Sequence, residues 1–117
     1  MPKRSPEAEL PLTPATFHIL LSLADADRHG YAIMHEIALR TGGQLRIGPG
    51  TLYGSLKRMV AETLVEERES AGESSDERRR FYRLTPFGRL VAKAEARRLE
   101  ALVQVARGVR LLKPLSV

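Results

Sequence analysis

The sequence predicts a mainly α-helical fold with one small two-stranded β wing, and three observations predict it. The run 49–60 places Leu52, Leu56, Met59 and Val60 at spacings that bury one face of a helix. Two short apolar-containing stretches follow, Leu64-Val65 and Phe81-Tyr82-Arg83-Leu84, separated by a polar segment that ends in Arg78-Arg79-Arg80. Beyond them, about 86–112, apolar residues recur at roughly helical spacing. Helix, strand, polar loop, basic strand is the order a winged helix-turn-helix requires. The chain therefore divides into a tail at 1–10, a winged helix-turn-helix at 11–85, and a C-terminal dimerisation helix with a short tail at 86–117.

Taken in order, residues 1–10 carry Pro2, Lys3, Arg4, Pro6, Glu7 and Glu9 without an apolar run, and a flexible tail is expected. Thr13-Pro14 is a cap followed by proline at the first helical position. The helix it opens is expected to reach about Ala26. Its apolar residues, Phe17, Ile19, Leu20, Leu21, Leu23 and Ala24, form more than one narrow stripe. Such a helix needs cover on two sides, its own core on one and a second subunit on the other. Phe17, Leu20 and Leu21 are candidates for the second. Asp27 to Gly30 reads as a turn at which His29 caps or packs. A second helix runs from about Tyr31 to Arg40 on Ile33, Met34, Ile37 and Ala38, and Thr41-Gly42-Gly43 stops it. Residues 44–48 connect to the third helix, which starts near Pro49, where a missing amide hydrogen costs nothing.

Ser70 to Glu77 is polar and small, the composition of a mobile wing tip. Thr85-Pro86 repeats the cap-plus-proline signal and opens the last helix. Val91, Ala94, Leu102, Val105, Val109 and Leu112 fall close to an a/d stripe, with Arg98 in one expected apolar slot. This helix is too long and too apolar for a small core alone. The expected partner is a second copy of the chain, through Val91, Ala94, Leu102, Val105 and Val109.

At 117 residues the chain is one domain with a net charge of +5. The distribution of charge says more than the total. Glu66, Glu67, Glu69, Glu73, Asp76 and Glu77 face only Arg68 in their segment, whereas Arg78, Arg79, Arg80, Arg83, Arg89, Lys93, Arg97 and Arg98 face only Glu95. A localised basic patch is the footprint of a nucleic-acid partner. On the third helix Thr51, Tyr53, Ser55, Lys57 and Arg58 are left on or near the outer face, where such side chains donate to phosphates and base edges. Of Arg78 to Arg80 not all can reach phosphate, because alternate strand residues point to opposite faces. Tyr82 and Leu84 share a face and are expected in the core. Gly54 lies inside the third helix at about 1 kcal/mol relative to alanine, which close approach to DNA would explain.

Other chemistries are poorly served. The chain has no cysteine, hence no disulfide, thiolate nucleophile or cysteine metal site. His18, His29 and His35 lack ligand spacing and a carboxylate cluster, so no metal or other cofactor is expected. Asp25 and Asp27 flank a turn without a pocket signature, Ser55 has no nearby histidine, and there is no nucleophile elbow or phosphate loop. An enzyme is not expected. The first ten residues do not read as a signal peptide and no stretch has the length of a membrane span, so a cytoplasmic location without membrane contact is expected. No unusual residues mark an effector pocket, and a small-molecule effector stays open.

His29-Gly30-Tyr31-Ala32-Ile33, Gly50-Thr51-Leu52-Tyr53, and Asp76 to Thr85 with Gly88 soon after resemble, in this order and spacing, the PadR family of bacterial transcriptional regulators. The resemblance runs from about Thr13 to Leu112. It implies a winged-helix repressor of an adjacent operon, a homodimer joined through its C-terminal helix and often its first helix, on a dyad-symmetric operator in double-stranded DNA. One helix after the wing is similar to the short subtype. By position, the resemblance implies that Tyr53 and Lys57 or Arg58 touch the DNA backbone. It also implies that Gly30 and Tyr31 lie near a phosphate and that Arg78, Arg79 and Arg80 anchor the wing. The chain lacks tryptophan, on which some multidrug-responsive members stack drugs. Two other readings are a winged-helix module whose basic face meets an acidic protein, and a MarR-like or ArsR-like regulator. The His-Gly-Tyr and Gly-Thr-Leu-Tyr elements favour PadR.

Overall fold

Both Thr-Pro pairs open helices. The Thr13 hydroxyl accepts the Thr16 amide at 3.2 Å at the start of α1 (Pro14–Ser22), and the Thr85 hydroxyl accepts the Gly88 amide at 2.8 Å at the start of α4 (Pro86–Gly108). The structure, a computed structural model, describes residues 4–69 and 80–115. Between the two capped helices lie β1 (Arg28–His29), α2 (Gly30–Arg40), α3 (Pro49–Ala61), β2 (Val65–Glu69) and β3 (Arg80–Leu84), and a 3-10 turn at Pro6–Glu9 precedes α1. This is the order of a winged helix-turn-helix with one helix after the wing.

The sheet has three strands, not two. β3 lies in the middle, antiparallel to β2 with Val65 opposite Leu84, and antiparallel to β1 with Arg28 opposite Tyr82. The extra strand was expected as a turn. Two residues are too few for alternation to show, and β1 exists only because β3 pairs with it.

The core gathers Ile19, Leu20 and Leu23 of the first helical segment, Ile33 and Ile37 of α2, and Leu52, Leu56 and Met59 of α3. Leu64, Val65, Tyr82 and Val91 complete it. Three residues expected at a subunit seam are therefore inside their own chain: Leu20 and Val91 are fully buried and Ala94 nearly so. The reason is that the first half of α4 packs on α1, so its apolar face has a core to enter. Phe17 and Leu21 are half-buried.

Helix ends also differ from expectation, for a physical reason. α1 stops at Ser22 rather than Ala26 because guanidinium groups take its terminal carbonyls: Arg28 Nε donates to Ser22 O at 2.7 Å and Arg40 Nη1 to Leu21 O at 3.0 Å. α2, α3 and α4 each end in a Schellman turn with a left-handed residue, Gly42 (φ 61°), Thr63 (φ 62°) and Arg110 (φ 66°). Only the first carries the glycine that announces such a turn. α4 accordingly ends at Gly108, short of the expected 112.

Residues 4–10 are not a free tail in this structure. The 3-10 turn lies on α4, and Arg4 and Leu12 hold it at either side. The Leu12 amide donates at 2.9 Å to Glu95, a carboxylate buried on α4. Arg98 donates to both oxygens of Glu95, and this hydrogen bond, against the opposing effect of burial, holds the Glu95 carboxyl below its usual range. Arg98 thus fills its expected apolar slot as the partner of a buried acid.

The first turn of α4 is pressed onto the start of β2. A Cβ built on Gly88 would sit 1.9 Å from the Leu64 carbonyl oxygen. Alanine gains about 1 kcal/mol over glycine within a helix, but overpacking against backbone costs about 1–3 kcal/mol, so the clash wins. Gly88→Ala is expected to lower the midpoint of urea unfolding; an unchanged or raised midpoint would show that the contact yields.

Candidate nucleic-acid interface

α3 buries Leu52, Ser55, Leu56 and Met59, and turns Thr51, Tyr53, Gly54, Lys57 and Arg58 outward. Ser55 is a correction, since it is only 6 % exposed instead of lying on the outer face. Positions 52, 55, 56 and 59 follow the i, i+3, i+4, i+7 rule for a buried stripe. Spacing alone would have placed Ser55 inward; its polarity misled. Gly54 is open, and a Cβ there would meet nothing within 4 Å. Nothing among the described residues calls for glycine at that position.

The outer face of α3 carries positive charge alone. The helix contains no acidic residue, and neither Lys57 nor Arg58 forms an ion pair with any described residue. Several other arginines are engaged within the fold, although Arg46, Lys93 and Arg97 likewise form no ion pair with a described residue. Arg28 and Arg40 bridge Asp25 and Glu36, Arg83 lies 3.7 Å from Asp27, and Arg98 holds Glu95. A pair of unpartnered cations on an exposed helix, with no counter-charge of its own, suits a polyanion.

The N-terminus of α2 meets this face. His29 caps the helix, its Nδ1 accepting the Ala32 amide at 3.3 Å, and its ring stands edge-on to Phe81 of β3 with centroids 5.8 Å apart. His29, expected to cap or pack at the turn, does both. Gly30 is buried because Tyr53 of α3 stands over it: an added Cβ would lie 2.2 Å from the Tyr53 hydroxyl oxygen. Tyr53 remains 41 % exposed and Tyr31 is 69 % exposed. The structure therefore brings Gly30, Tyr31 and Tyr53 together at one helix start, where free amide hydrogens and the helix dipole favour an anion. The contact of Tyr53 with Gly30 is the functional feature that composition and spacing do not reveal.

On the wing, Arg80 is exposed and pairs across the hairpin with Glu67 at 3.2 Å. Tyr82 is buried as expected and Leu84 is half-buried. Burial pushes the Tyr82 phenol up, and the Glu67 carboxylate adds to this. Arg78, Arg79 and the expected mobile tip at 70–77 lie outside the described residues. Among the described residues no three histidine, cysteine, aspartate or glutamate side chains form a metal-holding group, and no helix is long and apolar enough to cross a membrane.

A family model described as the transcriptional regulator PadR-like family matches residues 19–94. The chain belongs to the PadR-like family of transcriptional regulators. It is 39 % identical over 93 residues to the transcriptional regulator Rv3488 of Mycobacterium tuberculosis, covering 78 % of this chain and 80 % of that protein. It is also 42 % identical over 84 residues, 72 % of this chain, to an uncharacterized 37.1 kDa protein in transposon TN4556 of Streptomyces fradiae, of whose length the match spans only 22 %. Among solved structures it is similar to a PadR family transcription regulator of Clostridium difficile, at TM-score 0.70 and 26 % identity, over 83 % of this chain and 98 % of that one. The fold is shared with Bacillus subtilis PadR, solved in complex with operator DNA, at TM-score 0.63 and 20 % identity, over 76 % of this chain and 48 % of that one. The family is one of transcriptional regulators, not of enzymes.

The Gly30–Tyr53 contact of this PadR-like chain has a direct test. Tyr53 is a half-exposed side chain that can swing away, so Gly30→Ala is expected to change stability by less than about 1 kcal/mol while displacing the ring. Nuclear Overhauser contacts between the Tyr53 ring and residue 30 should vanish in the variant. Retention of those contacts would mean that the backbone of α2, not the ring, gives way.

Proposed function

We propose that this regulator binds a dyad-symmetric operator as a homodimer and represses an adjacent operon. The observation that carries the DNA reading is the outer face of α3, which presents Thr51, Tyr53, Lys57 and Arg58 to solvent without an acid in the helix. The shared fold with a PadR solved on operator DNA supports α3 as the recognition helix. Tyr31, with Tyr53 standing over the buried Gly30, supplies phosphate contacts from the start of α2. Arg80, with Arg78 and Arg79 next to it in sequence, supplies them from the wing. Ser55 is left out of this set, because a buried hydroxyl cannot reach a base. Adjacent-operon repression rests on the family resemblance.

The homodimer rests on the second half of α4. Leu102, Val103, Val105 and Val109 are exposed, Val105 at 62 %, and no described residue covers them. Each large apolar side chain buried there contributes about 1.5–3 kcal/mol. Phe17 and Leu21 of α1, half-exposed, are further candidates for the seam. A two-fold dimer sets the operator: two half-sites related by a dyad, spaced so that both α3 helices enter successive major grooves on one face.

Two measurements test this reading. Each phosphate contact by lysine or arginine adds about one unit to the slope of log affinity against log salt. Lys57→Ala with Arg58→Ala should flatten the slope by about one to two units per subunit, and an unchanged slope at wild-type affinity would remove both residues from the interface. For the dimer, Val105→Asp places an unpaired charge in the seam. Sedimentation of the variant should give a monomer at micromolar concentration where the parent chain is dimeric; a variant dimer of undiminished affinity would rule the seam out.

A further inference from the structure

We propose that Arg4 is a positioning residue: from the N-terminal arm it locks the end of α3 onto the first turn of α4, and so sets the spacing at which a dimer holds its two recognition helices. The second clause rests on the dimeric, DNA-bound reading above; the first does not. Arg4 lies outside the residues that match the family model, which begin at 19.

The Arg4 guanidinium has four partners. Nη1 donates to the Glu62 carbonyl at 2.6 Å and to Thr63 Oγ1 at 2.8 Å, and Nη2 lies 3.1 Å from Glu9. Its Cζ stands 4.5 Å from the centre of the Phe87 ring, in the first turn of α4. Glu62 is the C-cap of α3, so its carbonyl is among those a helix leaves without an intrahelical partner, and a cation there is favoured by the helix dipole. One side chain thus touches the end of the recognition helix and the start of the helix proposed to dimerise.

The point it grips is strained. Thr63 is β-branched and holds a φ of 62°, a conformation that persists only where the surroundings over-determine it. Arg4 bonds its hydroxyl, and Thr85 Oγ1 bonds its carbonyl at 2.6 Å. The arm is fastened again further along, where the Leu12 amide meets Glu95. Glu95 lies eight residues beyond Phe87 on α4, about 12 Å along the axis. The arm therefore spans two turns of α4 with a fixed point at each end. Exposed ion pairs of this kind add little stability individually. Their geometric effect is larger, because rotation of α3 against α4 would break the Arg4 fork. Lysine cannot replace that fork, having one ammonium in place of a planar set of donors.

The 117-residue chain has no cysteine, so spin labels can be placed cleanly at Ala61→Cys and Ala96→Cys, both exposed, with labelled chain diluted into unlabelled. Arg4→Leu is expected to broaden the distance distribution between α3 and α4, and Arg4→Lys to fall between the two. In a Thr63→Gly background, where the strain is gone, Arg4→Leu should broaden it less. The functional readout is the ratio of affinities for operators whose half-site spacings differ by one base pair. A preference of about tenfold in the parent chain, about 1.4 kcal/mol, should fall below about threefold in Arg4→Leu at unchanged dimerisation. Circular dichroism identifies a variant that merely unfolds, and partial retention in Arg4→Lys then decides. An unchanged distance distribution in a folded Arg4→Leu overturns the positioning role. A broadened one with the spacing preference intact overturns its consequence for DNA. A parent chain without operator binding defeats the function proposed above, while the distance measurement still judges Arg4.

Discussion

The Leu64 carbonyl ties the two ends of the winged domain together, and the arrangement of the remaining elements depends on that tie. It accepts the Thr85 amide at 3.1 Å and lies 3.2 Å from the Thr85 hydroxyl, while the Cα of Gly88 rests against it with no room for a side chain. The Leu64 amide in turn closes the Schellman turn of α3 on Met59 O. One residue therefore joins the end of α3, the first strand of the hairpin and the first turn of α4. Thr85 does two things at once, capping α4 and holding the strained turn at Thr63. A residue larger than glycine at 88 would push α4 off this junction, and with it Val91, which closes the core from that side.

Some of the cations in this protein are engaged inside the fold and some are not. Arg28 and Arg40 replace the last turn of α1 by donating to its carbonyls, and their carboxylate partners Asp25 and Glu36 complete a clasp at the corner of α1, β1 and α2. Arg98 holds a buried acid. Lys57 and Arg58 have no such task among the described residues. The net charge of +5 is thus less informative than the question of which cations remain available to a partner.

α4 is two helices in energetic terms. Its first half is a core element, with Val91 and Ala94 inside and Glu95 pinned to Leu12 and Arg98. Its second half carries Leu102, Val103, Val105 and Val109 into solvent. A single apolar stripe read along the sequence runs through both halves, interrupted only at Arg98. Only the packing of α1 and the arm over the first half separates residues with a partner in their own chain from residues without one.

The sequence by itself determined the four helices, the hairpin and the identity of the helix that faces outward. Those features rest on local chemistry: Thr-Pro caps at 13–14 and 85–86, a Gly-Gly stop at 42–43, and the 3.6-residue period of α3. It also held the placement of Ser55, legible from spacing once polarity is set aside. What tertiary structure decided has no local signal. β1 forms because β3 is beside it; α1 ends early because Arg28 and Arg40 arrive from elsewhere in the chain. α3 and α4 terminate at Thr63 and Arg110, residues that take a left-handed conformation without glycine. For Thr63 the clamp of Arg4 and Thr85 supplies the reason. The arm, expected to be loose, is ordered by contacts 58 and 83 residues away in sequence, at Glu62 and Glu95. Local propensity acts over a few residues, whereas these features depend on pairs that meet only when the chain has closed on itself.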